Sequence, residues 1–548
     1  MRRSIVKLTA GLSLLALLSA CQLNPTPEPS ASAQASVTAQ PSSTSSSTPL
    51  SADGRTMPWP KQAWQVGDSP DRQLAIQSDA RPRGFVSPPA GQGKQRYYDQ
   101  TLSWRDCTGG SCATMLVPLD WENPDAHAIS IALFKKPAKQ DRIGALFVNP
   151  GGPGGSAVDY ARSFSQEGIE GYDIIGLDSR GSGSSTPVVC GDLKQMDAYF
   201  DVDASPDDET EKQALIQAAK DFAQQCRANS GPLLDHITTI ETIYDYELAR
   251  HLLGEQKLNF FGVSYGTYLG PVYAQLYPQN VGRMVLDSAV NLEPDDDIIQ
   301  AQGFDLSLRN FADWCANATE RRCPLVKDAA KDPDKIIKKI TDFFVELDAN
   351  PIPVGDRMLT QTHAVNGTIL YFYAGADVYS NLAKLLDHTM TTRDGALLLD
   401  ASDAMNDRSP GGYDSLATAF PAIRCVDGAD RGIEAAFEQW QKDNQKAPLL
   451  SPFFGPDVIC AVWTAKPAPS IKFDGKGAPP ILVLGNTGDS ATPYQHAEKM
   501  AEILESAVLL TREGAGHGVY RESECITRPV NEYLIKGTVP EPGLRCRS

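Results

Sequence analysis

Six apolar runs, each closing on a glycine-rich or acidic turn, restrict what this chain can fold into more than any other feature of it. They are IGALFVNPGGPGG (143–155), YDIIGLDSRGSG (172–183), LNFFGVSYG (258–266), VGRMVLDSAV (281–290), PPILVLGNTGD (479–489) and AVLLTREGAGHG (507–518). A run apolar at nearly every position suits a strand covered on both faces, the situation found in a parallel sheet. Stretches of helical spacing separate many of the runs, including 210–226, 238–253, 265–277 and 494–505. That alternation predicts an α/β fold whose loops cluster at the carboxyl ends of the strands.

Between Val290 and about Lys476 the alternation lapses. Segments such as DPDKIIKKITDFFVELDAN keep a helical period, so this stretch reads as a mostly helical insertion that can lie over the strand-end loops as a lid. A chain of 548 residues is too long for one ordinary core. The expected division is a first core part at 58–290, a helical cap at 291–476 and a second core part at 477–548.

The start of the chain supplies an address. Residues 1–21 combine Arg2, Arg3 and Lys7 with an apolar stretch too short to span a bilayer comfortably and small residues before Cys21. Leu18-Ser19-Ala20-Cys21 resembles a bacterial lipobox, in which Cys21 becomes the lipid-bearing N-terminus; an ordinary secretory leader and a twin-arginine leader are the alternatives. Residues 22–57, rich in Ser, Thr, Pro, Gln and Ala, read as a flexible tether. The expected location is the bacterial cell envelope, with the lipid as membrane anchor.

Setting Cys21 aside leaves ten of the 11 cysteines, an even number in an exported chain, which predicts disulfides. Short separations suggest Cys107 with Cys112, Cys190 with Cys226, Cys315 with Cys323, Cys425 with Cys460, and Cys525 with Cys546. No clustered C-x-x-C pairs or suitably placed histidines favour a metal site, and no cofactor is expected. A formal charge of −18 and no basic stripe argue against nucleic acid as a partner.

Chemistry is concentrated at Gly262-Val263-Ser264-Tyr265-Gly266, which fits G-x-S-x-G between a strand and a helix. A serine hydroxyl is a weak nucleophile near neutral pH and needs a histidine base oriented by a carboxylate. In α/β-hydrolases these follow the serine in the order acid, then histidine. Of the two histidines beyond the insertion, His496 falls on an amphipathic helix and reads as a surface residue. His517 lies in GAGHG after a strand and is the expected base. Asp489, closing PPILVLGNTGD, is the expected acid, with Asp287 after GRMVL as its rival. The glycine loop 149–156 precedes the nucleophile and is the expected oxyanion site, with the N–H of Gly152 and that of Tyr265 as donors. No G-K-[ST] follows it, which argues against a phosphate loop.

The motifs NPGGPGGS, DSRGSGSST, GVSYGTYLG, GNTGDSATP and GAGHG resemble the proline iminopeptidase and tripeptidyl aminopeptidase group of α/β-hydrolases. AIRCVDG (422–428) and CAVWTAKP (460–467) resemble the C-terminal domain of its secreted tripeptidyl aminopeptidase branch, and the likeness runs from about Arg96 to Cys546. It implies the triad Ser264, Asp489 and His517 and the release of short fragments or single residues from peptide N-termini. Asn149 stands where many proline iminopeptidases carry histidine, which favours the secreted branch. Exopeptidase action needs an acidic group for the substrate ammonium, and the candidates are Asp427 and the run Asp295-Asp296-Asp297. A proline iminopeptidase, or a lipase or ester hydrolase on the same triad, is the alternative activity. Bond preference, number of residues released and oligomeric state are not legible.

Overall fold

The computed structural model describes residue 71 and residues 84–293, 298–428 and 430–547. The leader, Cys21, the tether and the acids Asp295, Asp296 and Asp297 lie outside the described residues. No described helix is long and apolar enough to cross a membrane.

All six apolar runs form strands of one sheet. In chain order its members are β1 (Arg105–Cys107), β2 (Gly110–Pro118), β3 (Ala128–Lys136), β4 (Gly144–Asn149), β5 (Tyr172–Leu177), β6 (Leu258–Val263), β7 (Val281–Asp287), β8 (Ile481–Gly488), β9 (Ala507–Ala515) and β10 (Arg545–Arg547). The spatial order is β1-β2-β3-β5-β4-β6-β7-β8-β9-β10. From β5 to β10 every neighbouring pair is parallel, while β1, β2 and β3 enter as an antiparallel meander paired to β5. The meander was not among the sequence expectations, because its strands lack the glycine and aspartate endings that mark the parallel ones.

Alternation along the strands builds a core on each face. Ala145, Phe147, Phe260, Met284, Ile481 and Val483 join one cluster. Leu146, Val148, Phe261, Val285, Leu482 and Leu484 join the other. Each such side chain taken fully out of water contributes about 1.5–3 kcal/mol of transfer free energy.

Helices flank the sheet where the sequence places them. Those that position the site are α1 (Ala157–Ser163), α2 (Thr239–Leu252), α3 (Gly266–Leu276), α4 (Gln300–Asn317), α5 (Gln361–Ala374), α6 (Ser415–Asp427) and α7 (Tyr494–Ile503). Between β7 and β8 the chain is mainly helical, with two small hairpins at 352–359 and 408–413. It carries its own apolar cluster, which includes Leu308, Phe311, Ile336, Ile340, Phe344 and Leu386.

Among the described residues the disulfides are Cys107–Cys112, Cys190–Cys226, Cys315–Cys323, Cys425–Cys460 and Cys525–Cys546. One expectation fails. His496 is not a surface residue but is buried on α7, with Nε2 3.1 Å from the carbonyl oxygen of Ile298. The start of the helical insertion covers the face of α7 that its amphipathic pattern assigns to solvent.

Candidate active site

Ser264 sits in the turn from β6 to α3 with φ +57°, a left-handed conformation that costs a non-glycine residue energy and is held here by its surroundings. Its N–H donates to the Asp287 carbonyl at 3.0 Å, and its carbonyl accepts from the Thr267 N–H at 2.8 Å. The flanking glycines are steric necessities. A Cβ on Gly262 would lie 2.3 Å from the Gly266 carbonyl oxygen, and one on Gly266 would lie 2.9 Å from that of Asn149. The turn is therefore too tight for any larger residue at either place.

The glycine loop after β4 lies directly on this elbow. Gly151 makes the closest approach: with φ +93°, its missing Cβ would stand 2.5 Å from the Val263 carbonyl oxygen, 2.8 Å from the Tyr265 nitrogen and 2.9 Å from Ser264 Cβ. Gly152, the residue expected to donate, lies one position further out, where a Cβ would meet Leu416 at 2.8 Å. Asn149 braces the loop from beneath, its Oδ1 accepting from the Gly151 N–H at 2.9 Å and its Nδ2 donating to the Tyr246 hydroxyl at 3.1 Å. Asp178, from the DSRGSG motif, holds the far end, accepting from Ser156 Oγ at 3.0 Å and from the N–H groups of Val158 and Ser184 at 2.9 and 2.7 Å.

His517 lies in the loop after β9, with Nδ1 2.8 Å from Asp489 Oδ1. That carboxylate oxygen also accepts from the N–H groups of Ala491 and Thr492, at 3.0 and 2.9 Å. His517 Nε2 is buried with no hydrogen-bond partner among the described residues, which leaves it free to accept a proton. Burial by itself pulls the imidazole pKa down; the Asp489 carboxylate beside it, with a smaller push from Asp287, more than offsets this and raises it above 6.5.

Asp287 does not bond the imidazole. It lies at the end of β7, and its two oxygens accept from the Val519 and Tyr520 N–H groups, both at 2.9 Å. Burial drives its carboxyl up to about 7.

The insertion touches each of these loops. On the glycine loop, a Cβ at Gly154 would meet Ala419 of α6 at 2.7 Å. On the acid loop, Gly303 of α4 packs so closely that a Cβ would lie 2.5 Å from the Ser490 carbonyl oxygen. Over the base, the Tyr373 ring stands edge-on to the His517 imidazole at 5.3 Å, and the Tyr373 carbonyl accepts from the His517 N–H at 2.9 Å. Asp427, the last residue of α6, has its carboxylate engaged within the protein. It accepts from the Thr239 N–H at 2.8 Å, from the Thr239 hydroxyl and, at 3.0 Å, from the Tyr265 phenol. Sequence reasoning missed Gly151, Tyr373 and Gly303, whose places depend on contacts between distant segments.

A serine presented on such a turn, at the carboxyl edge of such a sheet, defines a serine hydrolase of the α/β-hydrolase fold. Residues 144–324 match the alpha/beta hydrolase fold family and residues 447–546 the family described as TAP-like protein. Serine protease Hip1 of Mycobacterium tuberculosis is 32% identical over 480 residues, covering 82% of this chain and 91% of that one. Tripeptidyl aminopeptidase of Streptomyces coelicolor is 30% identical over 483 residues, covering 81% and 86%. Carboxylesterase B of Mycobacterium tuberculosis is 33% identical over 459 residues, covering 79% and 86%. The chain belongs to the tripeptidyl aminopeptidase-like family of α/β-hydrolases.

Proposed function

We propose that this protein is an exported serine aminopeptidase that releases short fragments from peptide N-termini, with Ser264 as nucleophile, His517 as base and Asp489 as the carboxylate that orients it. Ser264 Oγ attacks the scissile carbonyl carbon and passes its proton to His517 Nε2, while Asp489 stabilises the imidazolium through Nδ1. The N–H groups of Gly152 and Tyr265 receive the oxyanion. The tetrahedral intermediate collapses as His517 protonates the leaving amine, giving an acyl-enzyme. Water, deprotonated by the same imidazole, then releases the N-terminal fragment.

The observation that carries the exopeptidase reading is the helical insertion resting on all three loops around Ser264, through Gly154, Gly303 and Tyr373. A roofed site admits chain ends more readily than folded proteins. The leader and the five disulfides support export, with Cys21 as the lipid-bearing residue. Ester hydrolysis is the second reading, because one relative carries the name carboxylesterase.

Matched substrates decide between them. A free-amine tripeptidyl p-nitroanilide should be cleaved about 10- to 150-fold more efficiently than its N-acetyl twin, the span of one charge-assisted contact of about 1.5–3 kcal/mol. Equal rates on both, together with faster turnover of p-nitrophenyl esters, would establish the esterase reading.

A further inference from the structure

Asp287 joins the two arms of the site. Its carbonyl oxygen accepts from the Ser264 N–H at 3.0 Å, while its side chain accepts from the Val519 and Tyr520 N–H groups just beyond His517. Ser288, with φ +59°, adds a third tie, its Oγ accepting from the Gly518 N–H at 2.8 Å. Both residues are buried, and the Ser288 N–H donates to the Leu484 carbonyl of β8 at 3.0 Å, fixing them to the strand that leads to Asp489. Two consecutive residues at the end of β7 thus hold the nucleophile turn with one atom and the base loop with three.

We propose that Asp287, assisted by Ser288, is a positioning residue that fixes the distance and angle between Ser264 and His517. The proposal rests on the triad assignment above. Proton transfer between the two side chains needs a separation near 3 Å, and a displacement of about 1 Å can cost roughly 100-fold in rate. A carboxylate is the group that can accept two adjacent N–H donors at once, whereas an amide offers a single oxygen and turns its NH2 against the second donor. Burying that carboxylate is unfavourable, as its upward shift shows, and leaving the two loop N–H groups it receives without acceptors would be worse. The charge also acts on the base. The titratable and charged groups facing Asp287 are His517 and Asp489 from their loops, Tyr160 from α1, and Tyr520 beyond the base, with Arg521 acting on the two tyrosines. Asp489 and Asp287 are the carboxylates that raise the imidazole.

The test compares Asp287→Asn and Ser288→Gly with the wild type on a free-amine tripeptidyl p-nitroanilide across pH 5–9, with circular dichroism to verify folding. Glycine suits the positive φ at position 288, so that variant removes the hydroxyl without backbone strain. Asp287→Asn should lower kcat about 10- to 100-fold with KM changed less than about 3-fold, and should move the acid limb of kcat/KM to lower pH. Ser288→Gly should lower kcat about 3- to 10-fold with the limb unmoved. A folded Asp287→Asn enzyme with wild-type kcat, or with reduced kcat and an unmoved limb, overturns the proposal. If Asp287→Asn does not fold, Ser288→Gly decides alone, and an unchanged kcat there overturns it. Fluorophosphonate labelling of wild-type Ser264 is read in parallel; no labelling there means that the triad assignment itself has failed, whatever the variants do.

Discussion

The carboxyl edge of the sheet and the helical layer above it meet at the same few loops, yet they are built on different terms. At the sheet edge each functional group comes from a short local segment: Ser264 from the β6 turn, Asp489 from the end of β8 and His517 from the end of β9. Each is fixed mainly by backbone hydrogen bonds of its own or a neighbouring strand end. In the helical layer, contact with those loops depends on single residues far apart in sequence, Gly303, Tyr373, Ala419 and Asp427. On the proposed reading the sheet supplies the chemistry, while the layer packs on the loops that carry it.

Ser264→Ala puts the largest strain on that comparison. The serine and its base act as a unit, so the variant should fold normally and lose at least about 10,000-fold in kcat. Retained turnover would move the chemistry away from the sheet edge altogether.

The two buried aspartates of the sheet edge come next. Asp489→Asn places an amide opposite His517 Nδ1 and favours the wrong tautomer, which should cost roughly 10,000-fold. Asp287→Asn should cost only about 10- to 100-fold, because it disturbs position and leaves the tautomer intact. The reverse ranking would make Asp287 the acid.

The same pair accounts for what was legible in the sequence. Strand ends are visible because an apolar run followed by glycine or aspartate is a local signal, and the motif order then picks the serine and the histidine. Choosing Asp489 over Asp287 was a matter of order and family likeness, since both close an apolar strand with the same residue. What separates them is the direction each carboxylate faces, set by pairing between β7, β8 and β9 across more than 200 residues of chain. His496 went wrong for a related reason. A helix covered on its second side by an insertion cannot be told by periodicity from one exposed there.

Protonation gives a measurement of intermediate size. His517 must be neutral to accept the serine proton, and its pKa is raised, so kcat/KM should climb with pH through a midpoint above 6.5. A midpoint below 6 would mean that the buried carboxylates are not acting on the imidazole. Gly303→Ala addresses the layer instead. Its new methyl would meet the Ser490 and Asp489 carbonyl oxygens at 2.5 and 2.9 Å, and overpacking of this kind costs about 1–3 kcal/mol. If the layer holds the acid loop in place, kcat should fall about 10-fold; an unchanged kcat with a lower melting temperature would show that α4 is only a roof.

Asp427 carries the smallest expected effect and is where the two regions are hardest to separate. The sequence offers it as an anchor for a substrate ammonium, but its oxygens already receive Thr239 and the phenol of Tyr265, the residue whose N–H is proposed as the second oxyanion donor. An anchor would show in binding: Asp427→Asn would raise KM and shrink the preference for free-amine over N-acetyl peptides. A support for Tyr265 should lower kcat instead, about 3- to 10-fold, and leave that preference intact. The second outcome is the expected one, because an asparagine can still accept from the Thr239 N–H while losing charge opposite the phenol. Stability supplies an independent sign. Burial lifts the Asp427 carboxyl to about 6, above its unfolded value, so its contribution is fully present below about pH 4 and is lost as pH rises through 6. Asp427→Asn should therefore flatten the difference in melting temperature between pH 5 and pH 8. A variant that raises KM, loses the amine preference and leaves that pH difference unchanged would return Asp427 to the substrate.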